Sequence, residues 1–216
     1  MVDSPLSLPS GCTVDTPFAR LLAFCEGEYA YYDAIPSGDP NRIEPLDVLV
    51  TVAMNSFVNS AAKVHRVHQG MAAGCNPLLP SIPLDADLLE LERWQQPLRN
   101  LLHAAVQAPW VLIPVATKVL FRKRRGLIPM LDSVVIRHYL DNPEHKKLLP
   151  GTENKAKAAD VAMVALQRLR ADLVAAQGRI EGLCESLDGE GYTLSAVRAL
   201  ELLVWTQVEP AGYYRG

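Results

Sequence analysis

The side chains best suited to chemistry lie between residues 116 and 140. Lys118, Arg122 and Arg125 fall at i, i+4 and i+7, which places them on one face of a helix. Residues 118–147 carry eight bases against three acids, a local charge of +5, whereas residues 1–50 carry −6. Such asymmetry suits an anionic partner. It is also what a solvated helix end looks like, because bases favour the C-terminal dipole. Asp132 precedes Ser133 at the start of a short apolar helix, where either side chain can cap free backbone N–H groups.

Other reactive types are scattered. His65 and His68 lie three apart on one helix with no carboxylate at matching spacing, so they read as surface histidines and no metal is expected. Tyr29, Tyr31 and Tyr32 could stack on a base or pack at the rim of the core. Trp94, Trp110 and Trp205 sit in apolar helical contexts and read as core. Cys12, Cys25, Cys75 and Cys184 are too far apart for a zinc or iron–sulfur array and read as free thiols. Gly-rich phosphate loops, G-x-S-x-G and H-E-x-x-H are all absent, which argues against P-loop NTPases, α/β-hydrolases and zincins. No organic cofactor is implied.

The elements that must position these residues are helices. Of the 216 residues, 49% are hydrophobic, mostly Ala, Leu and Val. That composition favours helix and suffices for a sizeable core. Residues 1–15 are rich in Pro, Ser and Gly and read as a flexible segment; 16–216 read as one domain. Helices are expected over 16–31, 44–68, 84–107 with a break or kink near Pro97, 110–125, a short stretch up to 140, 152–177, and after Gly191 with Thr193 or Ser195 as cap. Loops are expected at 34–41, 74–83 and 142–151. The 44–68 helix carries Leu46, Leu49, Val50, Ala53, Met54, Phe57, Ala61 and Val64 as its apolar face. The expected fold is a compact all-α domain of six to eight helices. No apolar run reaches the ~18 residues of a membrane span, and no basic-then-apolar leader opens the chain. The expectation is a cytoplasmic protein with no membrane partner.

The segment ATKVLFRKRRGLIPMLDSVVIRHYL (116–140) resembles part of the helix-hairpin-helix DNA glycosylase superfamily. There, a helix opening on a small Thr/Ala pair leads through an apolar, Pro-containing link to an Asp, a short polar residue and Val at the next helix start. Ala116-Thr117, Leu127-Ile128-Pro129 and Asp132-Ser133-Val134 resemble those three parts. PLDVLVTVAMNSFVNSAAKV (45–64) resembles the first core helix of that fold. The whole chain more closely resembles an uncharacterised bacterial family, mainly of actinomycetes, with an R-K-R…L-I-P…D-S-V-V core.

The resemblance implies a DNA glycosylase-like fold and a monofunctional hydrolase that releases a modified base from DNA. Asp132 would be its catalytic carboxylate, steadying charge on the sugar and assisting a water. Lys118, Arg122 and Arg125 would grip phosphates, with Lys63 and Arg66 added if the first core helix packs nearby. Several family features are missing. The hairpin segment QAPWVLIPV (107–115) has no glycine and no Schiff-base lysine, Phe57 stands near the place of a common Gln, and the iron–sulfur cysteines of one branch are absent. These departures leave a second expectation open: a non-catalytic helical module that binds nucleic acid or a protein partner.

Overall fold

The computed structural model describes residues 3–27, 30–54, 56, 58–140 and 155–208. The expected 142–151 loop and residues 152–154 of the expected 152–177 helix lie outside them, as do Tyr29, Phe57, Lys146 and Lys147. The described residues hold nine α-helices and one small two-stranded hairpin.

Residues 3–15, read from the sequence as a flexible segment, take a defined path. β1 (Leu6–Ser7) pairs antiparallel with β2 (Thr13–Val14), Leu6 opposite Val14. Leu6, Leu8, Cys12 and Val14 are buried in the main core. The same segment supplies Asp3 Oδ1, which accepts from the amides of Phe18 and Ala19 at 3.0 and 3.2 Å. That carboxylate caps α1 (Pro17–Glu26), whose own N-cap residue Thr16 is left-handed and makes no side-chain cap. α2 (Ala30–Ala34) follows.

The long helix expected over 44–68 is not continuous. α3 (Pro45–Leu49) passes into a 3₁₀ turn (Val50–Met54), and α4 (Ala61–Cys75) starts afresh with Ser60 as its cap, accepting from the Lys63 amide. The cause is local polar competition. Thr51 Oγ1 donates back to the Val48 carbonyl and lies 2.9 Å from Ser56 Oγ, and such bonds draw the backbone out of the helical ladder. The break also turns Leu46, Leu49 and Val52 outward, so the apolar face read from spacing is divided between core and solvent.

α5 (Leu91–Gln107) runs unbroken through Pro97. Asp87 caps the 3₁₀ turn before it by accepting from the Leu89 amide. α4 and α5 pack closely because two glycines allow it. A Cβ on Gly70 would stand 2.8 Å from the Ala108 Cβ, and one on Gly74 would stand 3.3 Å from the Ala104 carbonyl oxygen. A turn at 108–112 leads into α6 (Ile113–Phe121). α7 (Ser133–Tyr139), α8 (Lys155–Gly189) and α9 (Ala196–Val208) complete the chain. α8 is the spine, packing against α5, α9, α1, α7 and α6. No described helix is long and apolar enough to cross a membrane.

α6 is the element whose environment departs most from expectation. Every residue from Val115 to Arg124 is buried, so α6 has no solvent face for Lys118 and Arg122. The run that follows it works as an internal clasp. Arg124 is 1% exposed and spends all five guanidinium N–H donors. Its acceptors are the carbonyls of Ile82, Pro40, Lys123 and Leu79 and the side chain of Asn41, at 2.6–2.8 Å. Arg122 and Lys123 close on the buried Asp47 at 3.0 and 2.6 Å. They also donate to the Pro36 carbonyl and to Ser37 and the Asp39 carbonyl. The loops read at 34–41 and 74–83 are thereby tied to the end of α6.

Arg124→Lys is expected to destabilise the fold by at least about 3 kcal/mol, because a point charge cannot serve five fixed acceptors. In urea the unfolding midpoint should drop by about 1 M or more. An unchanged midpoint would show that the loops do not depend on the guanidinium fork.

Candidate nucleic-acid interface

The three parts of the 116–140 motif converge in space. Thr117 Oγ1 donates to the Ile113 carbonyl and accepts from the Leu131 amide at 3.0 Å. The Met130 amide donates to Glu201 Oε2 on α9. The Pro-containing link is thus pinned from both sides, and Asp132 follows it directly.

Asp132 caps α7. Its Oδ1 accepts from the amides of Val134 and Val135 at 2.8 and 2.9 Å. The residue is half-buried, and among the described residues no donor is bonded to Oδ2. Lys118 lies within electrostatic reach. Burial lowers the Lys118 ammonium's pKa, and the charges of Asp132 and Glu201 pull it back up. Its Nζ donates to the Met54 carbonyl at 2.5 Å. Glu201 is fully enclosed; burial pushes its carboxyl up to about 7 against the pull of Arg198, which grips both its oxygens at 2.9 and 2.8 Å. Arg198 also holds Asp33 and lies over the rings of Phe24 and Phe121. Sequence reasoning passed over this Asp33–Arg198–Glu201 group, because Asp33 and Arg198 lie 165 residues apart.

The five cations named from the sequence separate. Lys118 and Arg122 are internal, so the solvent-facing placement expected for them is corrected: their donors are engaged by Met54, Asp47, Tyr32 and Pro36. Arg125 is exposed, its guanidinium 5.7 Å from the Phe121 ring centre. Lys63 and Arg66 lie on α4, half-buried and exposed respectively. Lys63 Nζ donates to Asn59, and the Arg66 guanidinium sits 5.6 Å from the ring centre of Trp110. The tyrosines divide as well, Tyr31 being exposed and Tyr32 buried with its hydroxyl on the Lys118 carbonyl.

A family model described as a family of unknown function (DUF6308) matches residues 23–208, from within α1 to the end of α9. The chain belongs to the DUF6308 family. No curated protein and no solved structure matches it.

The surface feature of this DUF6308 chain that the sequence misassigned is Trp110. Read as core, it stands 51% exposed at the tip of the α5–α6 hairpin. Its φ of 58° is left-handed, a conformation that suits glycine and costs a bulky residue about 1–2 kcal/mol. The hairpin lacks a glycine, and its tryptophan takes the backbone conformation a glycine would. Gly70 of α4 meets Ala108 and Pro109 of the same turn, which fixes the tip. Beside it are exposed Leu112, the Arg66 guanidinium and Lys155, whose Nζ donates to the Ala108 carbonyl at 2.9 Å. An exposed aromatic ring beside two bases, held in a costly conformation, stands out on the described surface.

Trp110→Gly is expected to be more stable than Trp110→Ala by about 1 kcal/mol, since both lose the ring and only glycine relieves the left-handed backbone. Parallel urea titrations measure this. Equal stabilities would show that residue 110 is not left-handed in solution.

Proposed function

We propose that this chain carries a helical module that binds nucleic acid, DNA first among the candidates, through the α5–α6 hairpin and performs no chemistry on it. The observation that carries the proposal is the strained, exposed Trp110 ring between Arg66 and Lys155. Aromatic rings stack on bases irrespective of sequence, and adjacent bases neutralise phosphates. The alternative cation set, Lys118 with Arg122, supports no grip on a phosphate, because reaching one would mean abandoning buried acceptors.

One observation favours the second reading, a monofunctional DNA glycosylase. Asp132 keeps one oxygen without a hydrogen-bond donor among the described residues, at the helix start that the superfamily resemblance implies. Such an oxygen could face a sugar carbon while Oδ1 continues to cap α7. Against it stands the burial of Lys118 and Arg122, the cations that the resemblance assigns to phosphates.

Two measurements test the readings separately. In fluorescence anisotropy at about 50 mM salt, labelled single-stranded and duplex DNA should bind. Trp110→Ala should weaken binding by about 5- to 150-fold, and Arg66→Ala should lower the salt slope by about one. No binding at low salt overturns the module. For the glycosylase, alkali-dependent strand cleavage on duplexes carrying modified bases should be undetectable. Cleavage that disappears in Asp132→Asn, which preserves the cap, would replace the first reading with the second.

A further inference from the structure

The cleft between the N-terminal hairpin, the end of α7 and the middle of α8 has a volume of about 350 Å³. Ser10, on the β1–β2 turn, places its Oγ 2.9 Å from His138 Nε2. A buried carboxylate organises the pair. Asp172 of α8 is 1% exposed; its Oδ1 accepts from the Ser10 amide at 2.8 Å and its Oδ2 from the Tyr139 hydroxyl at 3.0 Å. Burial, with the Asp172 charge behind it, pushes the Tyr139 hydroxyl far up, so it remains a donor to that carboxylate. The His138 ring meets the Tyr139 ring edge-on with centres 4.9 Å apart. One buried acid therefore fixes the backbone of Ser10 and the neighbour against which His138 rests. Arg168 lines the same cleft, held by its bond to the Tyr139 carbonyl.

We propose that Ser10 and His138 form a nucleophile–base pair that hydrolyses small carboxylic esters in this cleft, a function separate from the nucleic-acid reading. A hydroxyl within hydrogen-bond reach of an imidazole, both held by rigid neighbours, is the minimal arrangement for acyl transfer. With His138 in the tautomer whose Nε2 accepts, Ser10 Oγ attacks the ester carbonyl carbon and its proton passes to Nε2. The carbonyl oxygen takes up negative charge, for which Arg168 is the cation in the cleft. The C–O bond to the alcohol then breaks and the leaving oxygen takes the proton from Nε2. Water repeats the sequence on the acyl-Ser10, releasing the acid and restoring the hydroxyl. The cleft volume suits a compact ester. Ser10 precedes the span matched by the family model, and His138 lies within it.

The test is covalent labelling of the full chain with a biotinylated alkyl fluorophosphonate, followed by peptide mapping. The label should fall on Ser10 and be absent in Ser10→Ala. In His138→Gln, which keeps a side chain able to bond the serine, labelling should slow by about 100-fold or more. A merely structural contact would not slow in that way. Ser7→Ala, on the neighbouring strand, should label at the parent rate and act as the control. p-Nitrophenyl acetate should give a burst of nitrophenolate that Ser10→Ala lacks. A protein folded by circular dichroism that takes no label, or takes it at another serine, overturns the proposal.

Discussion

A guanidinium or ammonium can leave water only if nearly every N–H it carries finds an acceptor, because an unpaired buried charge is too costly to keep. That constraint organises the region around α6. Arg122, Lys123 and Arg124 are all buried, and between them they engage Asp47, Asn41, Ser37 and the carbonyls of two loops. The loops need them in turn. Segments rich in proline have carbonyls to satisfy and fewer amides to satisfy them with. The cations at the end of α6 supply the missing donors, holding the chain from Tyr32 to Asp47 and from Leu79 to Ile82 against one helix end.

This arrangement decides which cations are available to a partner. A residue already serving several buried acceptors cannot turn outward without stranding them, so the basic run contributes to the fold rather than to an external anion. Arg125 is exposed, and the bases proposed to meet an external anion are Arg66 on α4 and Lys155 at the start of α8, which lie beside the Trp110 turn. The turn sits close to α4 because Gly70 has no side chain. A packing requirement between two helices thus also fixes the position of the ring proposed to stack on bases.

The helical character of the chain was legible because Ala- and Leu-rich periodicity survives packing: α5, α8 and α9 begin or end near the expected places. The interruption at 50–60 was not, since it depends on Thr51 and Ser60 bonding to backbone in preference to leaving it helical. The burial of α6 was illegible for another reason. Spacing shows that Lys118, Arg122 and Arg125 share a face, but not whether water or carbonyl-rich loops lie opposite it. A hint was present in the proline-dense segment IPSGDPN (35–41), where Pro36 and Pro40 have carbonyls but no amide donors. Trp110 was misread because a tryptophan in an apolar stretch is usually core, and nothing in the sequence marks a left-handed turn without glycine or asparagine. The Ser10–His138 pair joins residues 128 apart, and no local pattern records such a meeting.

The field around Asp132 bears on whether its free oxygen could act on a sugar. A carboxylate stabilises a developing cation in proportion to the net negative potential it provides. Here Lys118 lies within reach on one side and already interacts with that charge. Glu201 would add negative potential, yet burial raises its carboxyl to about 7 and Arg198 grips both its oxygens. Arg198, held between Glu201 and Asp33, adds a fixed positive charge beneath both. Lys118 therefore offsets part of the Asp132 charge while Oδ1 caps α7, which suits a helix cap better than an acid whose task is to hold a sugar cation.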